Sequence, residues 1–238
     1  MEGRAMNRHQ TNRMRRKGMA SLAFICLICA CSVGCGLAPK ATLGYEGPVC
    51  PSGSFKSVPV VVCEFQDLRA DKRVGIILNL FDGVESGIES KNEVGRWMSE
   101  ALAKELRHRG FYVCSGRKAL SVDDPKRIVV KGDILTLNTF QPSGLMVYCR
   151  TLVAVRIYRD NRLLYERHFE GKHDLAATTW DIGAEQVAAG CEKAVQDMMH
   201  GLVPTVDRQI LYAAGAASSD AVAEEVQQPY RIKISSAK

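Results

Sequence analysis

Between Ser90 and Gly110 the chain carries a helix with both ends marked, and this segment constrains the fold more than any other. Ser90-Lys91-Asn92-Glu93 has capping-box spacing. Val94, Trp97, Met98, Ala101, Leu102 and Leu106 then recur at the 3.6-residue period of one apolar stripe. Lys104, Arg107, His108 and Arg109 suit the negative end of the helix dipole, and Gly110 supplies a left-handed stop. "VPVVVCEF" (58–65) precedes the helix and reads as a strand buried on both faces, with Pro59 near its start. "FYVCS" (111–115) follows directly as another strand. Strand, helix, strand at this distance predicts a crossover that makes the two strands parallel.

The remaining strands predict an antiparallel meander. "VGIILNL" (74–80) reads as a short strand, and "GVESGIES" (83–90) reads as a glycine- and serine-rich loop. "RIVVKGDILTLNTF" (127–140) forms a long strand, residues 141–144 turn the chain, and residues 145–160 return. Val147, Cys149, Thr151, Val153, Val155 and Ile157 share the inner face of the returning strand, while Tyr148, Arg150 and Arg156 mark the wetter one. At the next turn a two-residue loop, Asp160-Asn161, sends Glu166 and His168 inward. A three-residue loop ending at Arg162 sends Tyr165 and Phe169 inward instead, and core burial selects the longer loop. A last helix over 182–202 buries Val187, Cys191, Ala194, Val195, Met198 and Leu202, and Pro204 opens a separate terminal helix carrying Val206, Ile210 and Leu211. The expected class is α+β: a two-layer mixed sheet with one parallel β-α-β crossover, an antiparallel meander and two long helices packed on one face.

The N-terminal region sets the compartment. Arg13-Met14-Arg15-Arg16-Lys17 precedes "SLAFICLICACSVGCG" (21–36), whose apolar density falls away after Cys31. A basic stretch, a short apolar core and a small-residue end form the pattern of a cleaved export signal, here residues 1–34. Inside that apolar core the spacing Cys26-x-x-Cys29 carries no metal or redox meaning. Ser32-Val33-Gly34-Cys35 resembles a bacterial lipobox, and Ile28-Cys29-Ala30-Cys31 is a competing match. Cys35, with Cys31 as the alternative, is therefore the expected lipidation site, and acyl chains there would hold the domain to one leaflet. Gly36 at the following position fits an outer-membrane address, with the body in the periplasm.

Removing the signal changes the charge. The whole chain has 32 basic and 26 acidic residues, a net +6, but residues 35–238 retain 26 against 25. A nucleic-acid binder keeps a basic footprint of its own, so that class is excluded. Residues 35–57 are rich in Gly, Pro and Ser and read as a flexible tether. Residues 58–212 form the single domain, and the small, polar run 213–238 reads as a disordered tail.

In chain order these features are a lipobox, a tether, a buried strand, Asp67-x-Arg69, a capped helix ending in "ELRHRGFYV", a meander and an amphipathic helix. This arrangement resembles the uncharacterised YajG-type lipoproteins of Gram-negative bacteria over Val58–Leu202, most specifically at "FQDLRADKRVG" and at the Gly110 corner. The resemblance implies a fold and a compartment and no reaction. More distantly the layout is similar to auxiliary lipoproteins of ABC-type lipid-transport systems, on fold and location alone.

Few residues suggest chemistry. Asp67, Arg69, Asp71 and Arg73 alternate in charge after the first strand, where they either order a loop or hold an anionic headgroup or a partner's carboxylate. His168, His173 and Asp174 are too scattered for zinc, and His108 and His200 sit near helix ends. There is no nucleophile elbow, no zinc-protease helix and no phosphate-binding glycine loop. Five cysteines follow Cys35; Cys63 and Cys114 lie on the two crossover strands, while Cys63, Cys149 and Cys191 occupy apolar patterns that suit buried free thiols. The expected function is a noncatalytic envelope lipoprotein, without metal or cofactor, that binds a protein or lipid partner. An accessory subunit of a transport or secretion system and a periplasmic hydrolase are the alternatives.

Overall fold

One long strand organises the sheet. In the computed structural model, which describes residues 38–78, 84–115, 127–141, 146–176 and 183–215, the order is β1 (Lys40–Ala41), β2 (Lys56–Val62), β3 (Gln66–Asp67), β4 (Gly75–Leu78), β5 (Val84–Ser90), α1 (Val94–His108), β6 (Phe111–Ser115), β7 (Ile128–Gln141), β8 (Met146–Arg159), β9 (Arg162–Ala176) and α2 (Ala184–Ala213). β7 pairs antiparallel with β8 on one side, and β8 with β9. On its other side β7 meets three short parallel strands end to end: β2 at Ile128–Val130, β3 at Asp133–Ile134 and β4 at Thr139–Gln141. Beyond them, β2 pairs with β6, and β4 with β5 and then β1.

The expected α+β class is the observed one, including the parallel pairing of β2 with β6 across α1. α1 and α2 share one hydrophobic core with the inner sheet face, and every expected stripe residue of both helices is buried. Each fully buried Leu or Met there contributes about 1.5–3 kcal/mol. α1 stops at Gly110, whose φ of +90° places it in the left-handed region. A Cβ there would also lie 2.0 Å from the Ser54 carbonyl oxygen.

Several details differ from expectation. Residues 84–90 form β5 and not a loop, because the ladder to β4 and β1 satisfies their backbone. The N-cap of α1 is Glu93 and there is no capping box; the Ser90 hydroxyl accepts from the Asn92 N–H at 3.1 Å in a local turn. The β8–β9 loop has two residues, Asp160 and Asn161, with φ of 52° and 60°. Leu164 then bulges out, so Tyr158 faces Leu163 while Ile157 faces Tyr165 and Val153 faces Phe169. Core burial still sets the face, with a bulge supplying the extra residue. α2 is continuous through Pro204, with no separate terminal helix. Val203, Val206 and Ile210 continue its buried stripe, and that packing outweighs the one hydrogen bond proline removes.

The largest correction concerns the tether. Residues 38–55 are not loose; they form a strap across α1 and toward α2. Ala41, Leu43 and Cys50 are buried, and β1 joins the sheet. The strap's polar groups are met by side chains of the body, a pairing that a Gly- and Pro-rich composition does not reveal. Cys31, Cys35, the rest of 1–37, the turn at 142–144, Ile182 and the tail from 216 onward lie outside the described residues.

Candidate functional site

The Asp67–Arg73 loop occupies the gap where β7 has no strand beside it, between its pairing with β3 and its pairing with β4. The Leu68 N–H donates to the Ile134 carbonyl at 3.0 Å, and the Thr139 N–H to Val74 at 2.9 Å. Arg69 fills the space between. Its Nε and Nη2 donate to the two Asp67 carboxylate oxygens at 2.9 and 2.8 Å, and Nη1 donates to the carbonyls of Leu137 at 2.8 Å and Arg73 at 3.0 Å. A longer contact of 3.4 Å runs from Nη2 to the Lys72 carbonyl. The guanidinium's five N–H groups thus all have acceptors within the protein, and the residue is 6 % exposed. The side chain stands in for a missing strand and has no donor left for a ligand.

Asp67 is tuned by this arrangement. Burial pushes its carboxyl up, but the hydrogen bonds and charge of Arg69 outweigh burial, and the net pKa lies below the ordinary value. Asp71 and Arg73 repeat the pairing at the surface, with Nη2 at 2.5 Å from Oδ2. The hydrogen bonds that Arg73 donates lower the Asp71 carboxyl, and the same bonds raise the Arg73 guanidinium. The structure therefore brings the four residues together as two ion pairs, one holding the loop's interior and one its rim.

Two buried carboxylates stand outside the sequence-derived site. Glu105, fully buried on α1, accepts from the Tyr45 hydroxyl at 2.5 Å, the Val49 N–H at 2.6 Å and the Cys50 N–H at 3.2 Å. Burial and then the bond to Glu105 push the Tyr45 phenol well above its ordinary pKa. Burial and the neighbouring Glu105 push the Cys50 thiol up to about 11. Asp207 on α2 accepts from Lys56 Nζ at 2.8 Å and from Arg109 Nε and Nη2 at 2.9 and 2.5 Å. Both carboxylates signal themselves in the sequence: Glu105 follows Ala101 and Leu102 on the apolar stripe, and Asp207 sits four residues after Val203. A charge on a buried stripe requires partners.

The five described cysteines are free. Cys114 pairs across the sheet with Val61, not with Cys63. Thr139 Oγ1 lies 3.5 and 3.4 Å from the sulfurs of Cys149 and Cys191, and burial pushes Cys191 up to about 12. His168 and His173 lie an odd number of residues apart on the regular part of β9, so they face opposite sides. Among the described residues no cluster of three or more His, Cys, Asp or Glu could hold a metal.

The sheet face turned away from the helices is the other candidate surface. Cys114, Val61, Val129, Tyr158 and Leu163 line up across five strands in one apolar row. Tyr112, 63 % exposed, flanks the row. Beside it runs a charged row, Lys131, Arg156 and Glu166, in which Arg156 also binds Asp133. Farther along, Phe140 stacks on Tyr148 at 5.5 Å, next to exposed Arg150 and its cross-strand neighbour Lys172.

Fold and site together define a two-layer α+β domain with both long helices on one sheet face and a loop beside β7 ordered by ion pairs. No family model and no curated protein matches the sequence. Among solved structures the chain is similar to a Xanthomonas campestris protein of family DUF330, with TM-score 0.53 and 12 % identity over 75 % of this chain and 99 % of that one. A Helicobacter pylori homologue of a neuraminyllactose-binding hemagglutinin gives TM-score 0.43 and 10 % identity, covering 74 % and 100 % of the two chains. Lipoprotein GNA1162 of Neisseria meningitidis gives 0.32 and 11 %, covering 65 % and 99 %. The likeness to the Xanthomonas protein is one of fold. Among the described residues no helix is long and apolar enough to cross a membrane.

Proposed function

We propose that the chain is a noncatalytic, lipid-anchored envelope lipoprotein of the YajG type, exported by residues 1–34 and acylated on Cys35, with Cys31 as the alternative. Its body binds a protein or lipid partner at the periplasmic face of the outer membrane. The observation that carries the noncatalytic reading is the saturation of Arg69. The most site-like motif in the sequence spends every donor on its own loop, and the Glu105 and Asp207 clusters are likewise consumed within the fold. The lipobox pattern carries the anchor.

The exposed Tyr112 and Leu163 at the two ends of the outer apolar row favour a second reading, an accessory subunit of a transport or secretion assembly, because exposed apolar residues suit a partner surface. The deciding experiment for the anchor is the intact mass of the detergent-extracted protein. The expected mass is that of a chain starting at Cys35 and carrying acyl groups, and Cys35→Ser should release the protein from membranes. An uncut leader, or membrane association that survives Cys35→Ser combined with Cys31→Ser, would overturn the reading.

A further inference from the structure

The strap is held to the body by polar bonds more than by packing. Of residues 38–50 only Ala41, Leu43 and Cys50 fully bury an apolar side chain, whereas α1 buries a whole stripe. β1, its one strand, has two residues and stands at the end of the sheet, paired with β5. Most other links are side-chain bonds to the two helices. The Leu43 N–H donates to Asn92 Oδ1 at 3.0 Å, just ahead of α1, and Trp97 Nε1 donates to the Gly44 carbonyl at 2.9 Å. The Glu46 N–H donates to the Glu192 carboxylate of α2 at 2.5 Å. Three more bonds, from the Tyr45 hydroxyl and the Val49 and Cys50 N–H groups, converge on the single carboxylate of Glu105. A segment with so little buried apolar surface belongs to the low-stability end of a fold.

The fastening changes character at Pro51. From there the main chain itself is tied to the end of α1. Arg109 Nη1 donates to the Pro51 carbonyl at 3.2 Å, the Gly53 N–H to the His108 carbonyl at 3.1 Å and the Lys56 N–H to the Gly110 carbonyl at 2.8 Å. Lys56 Nζ is held in turn by Asp207. The body's grip on the chain therefore begins at Pro51, and residues 38–50 can leave without loosening it. Pro39, Gly44, Gly47 and Pro48 deny the freed segment a helix or strand of its own. Once released it becomes the flexible tether that its composition describes.

We propose that residues 38–50 are a releasable length of tether, peeling from α1 and α2 as one unit while the body stays folded. The lengthening this gives rests on the acylation of Cys35 proposed above; the release does not. From Cys35 the chain reaches about 14 Å to Pro39 with the strap closed, and about 55 Å to Pro51 with it released. The test is hydrogen exchange and N-ethylmaleimide labelling of the full chain in native buffer, both mapped to residues by mass. The amides of Leu43, Val49 and Cys50 and the Cys50 thiol are expected to open together, at least about tenfold more often than the Met98 and Leu102 amides and the Cys191 thiol. Glu105→Gln weakens the bonds that converge there, so it should raise strap opening about tenfold further and leave Cys191 labelling unchanged. Strap amides as protected as those of α1 would overturn the proposal. So would Cys50 labelling while the Leu43 amide stays protected, or a Glu105→Gln effect shared equally by Cys191. Release seen on a chain whose intact mass shows no acyl group would keep the opening and overturn the lengthening.

Discussion

Arg69 has five guanidinium N–H groups and an acceptor for each, all of them in its own loop or on β7. Arg69→Ala strands the half-buried Asp67 carboxylate and the Leu137 and Arg73 carbonyls. The expected loss is about 3 kcal/mol in urea unfolding. Arg69→Lys keeps the charge but not the planar fork, so it should recover only part of that stability. The depressed carboxyl of Asp67 adds a pH signature. Its contribution is complete above the unfolded-state pKa of about 3.9 and is lost as pH falls through the lower folded-state value. Acid titration should therefore show a fall in stability below about pH 4 that Asp67→Asn lacks. The Asp-x-Arg spacing made this loop visible in the sequence. Its purpose was not visible, because the gap along β7 exists only once β3 and β4 have paired with that strand.

At the scale of elements, the β8–β9 hairpin separates a correct reason from an incorrect device. Tyr165 and Phe169 do face inward, as the apolar pattern requires, yet a two-residue turn and the Leu164 bulge achieve it. Patterning specifies which residues are buried and leaves open how the backbone accommodates them. Deleting Leu164 should make the ladder regular and leave Tyr165 opposite Ile157 and Phe169 opposite Val153. The expected change is within about 1 kcal/mol, seen as a thermal transition close to that of the wild type. Asn161→Gly should be neutral or slightly stabilising, and Asn161→Val should destabilise by about 1 kcal/mol, because φ near 60° penalises a branched side chain. Pro204 teaches the same lesson in α2. Read locally it breaks a helix, but the stripe from Leu202 to Ile210 carries the helix through.

Across the whole molecule, long-range polar ties join parts that composition had separated. Glu105 holds the strap onto α1, while Asp207 joins Lys56, the end of α1 and α2. Glu105→Ala should free the strap before the body melts, giving proteolytic cuts within residues 38–55 at temperatures where the remainder stays intact. The accompanying loss is about 2 kcal/mol, from unsatisfied N–H groups. The strap also has a geometric consequence. The Pro39 carbonyl already accepts from the Glu89 N–H, four residues past Cys35. A fatty acyl group on that sulfur would have a leash of about 14 Å at full stretch. On the proposed acylation of Cys35, so short a leash would keep Pro39 and the strap near the lipid surface.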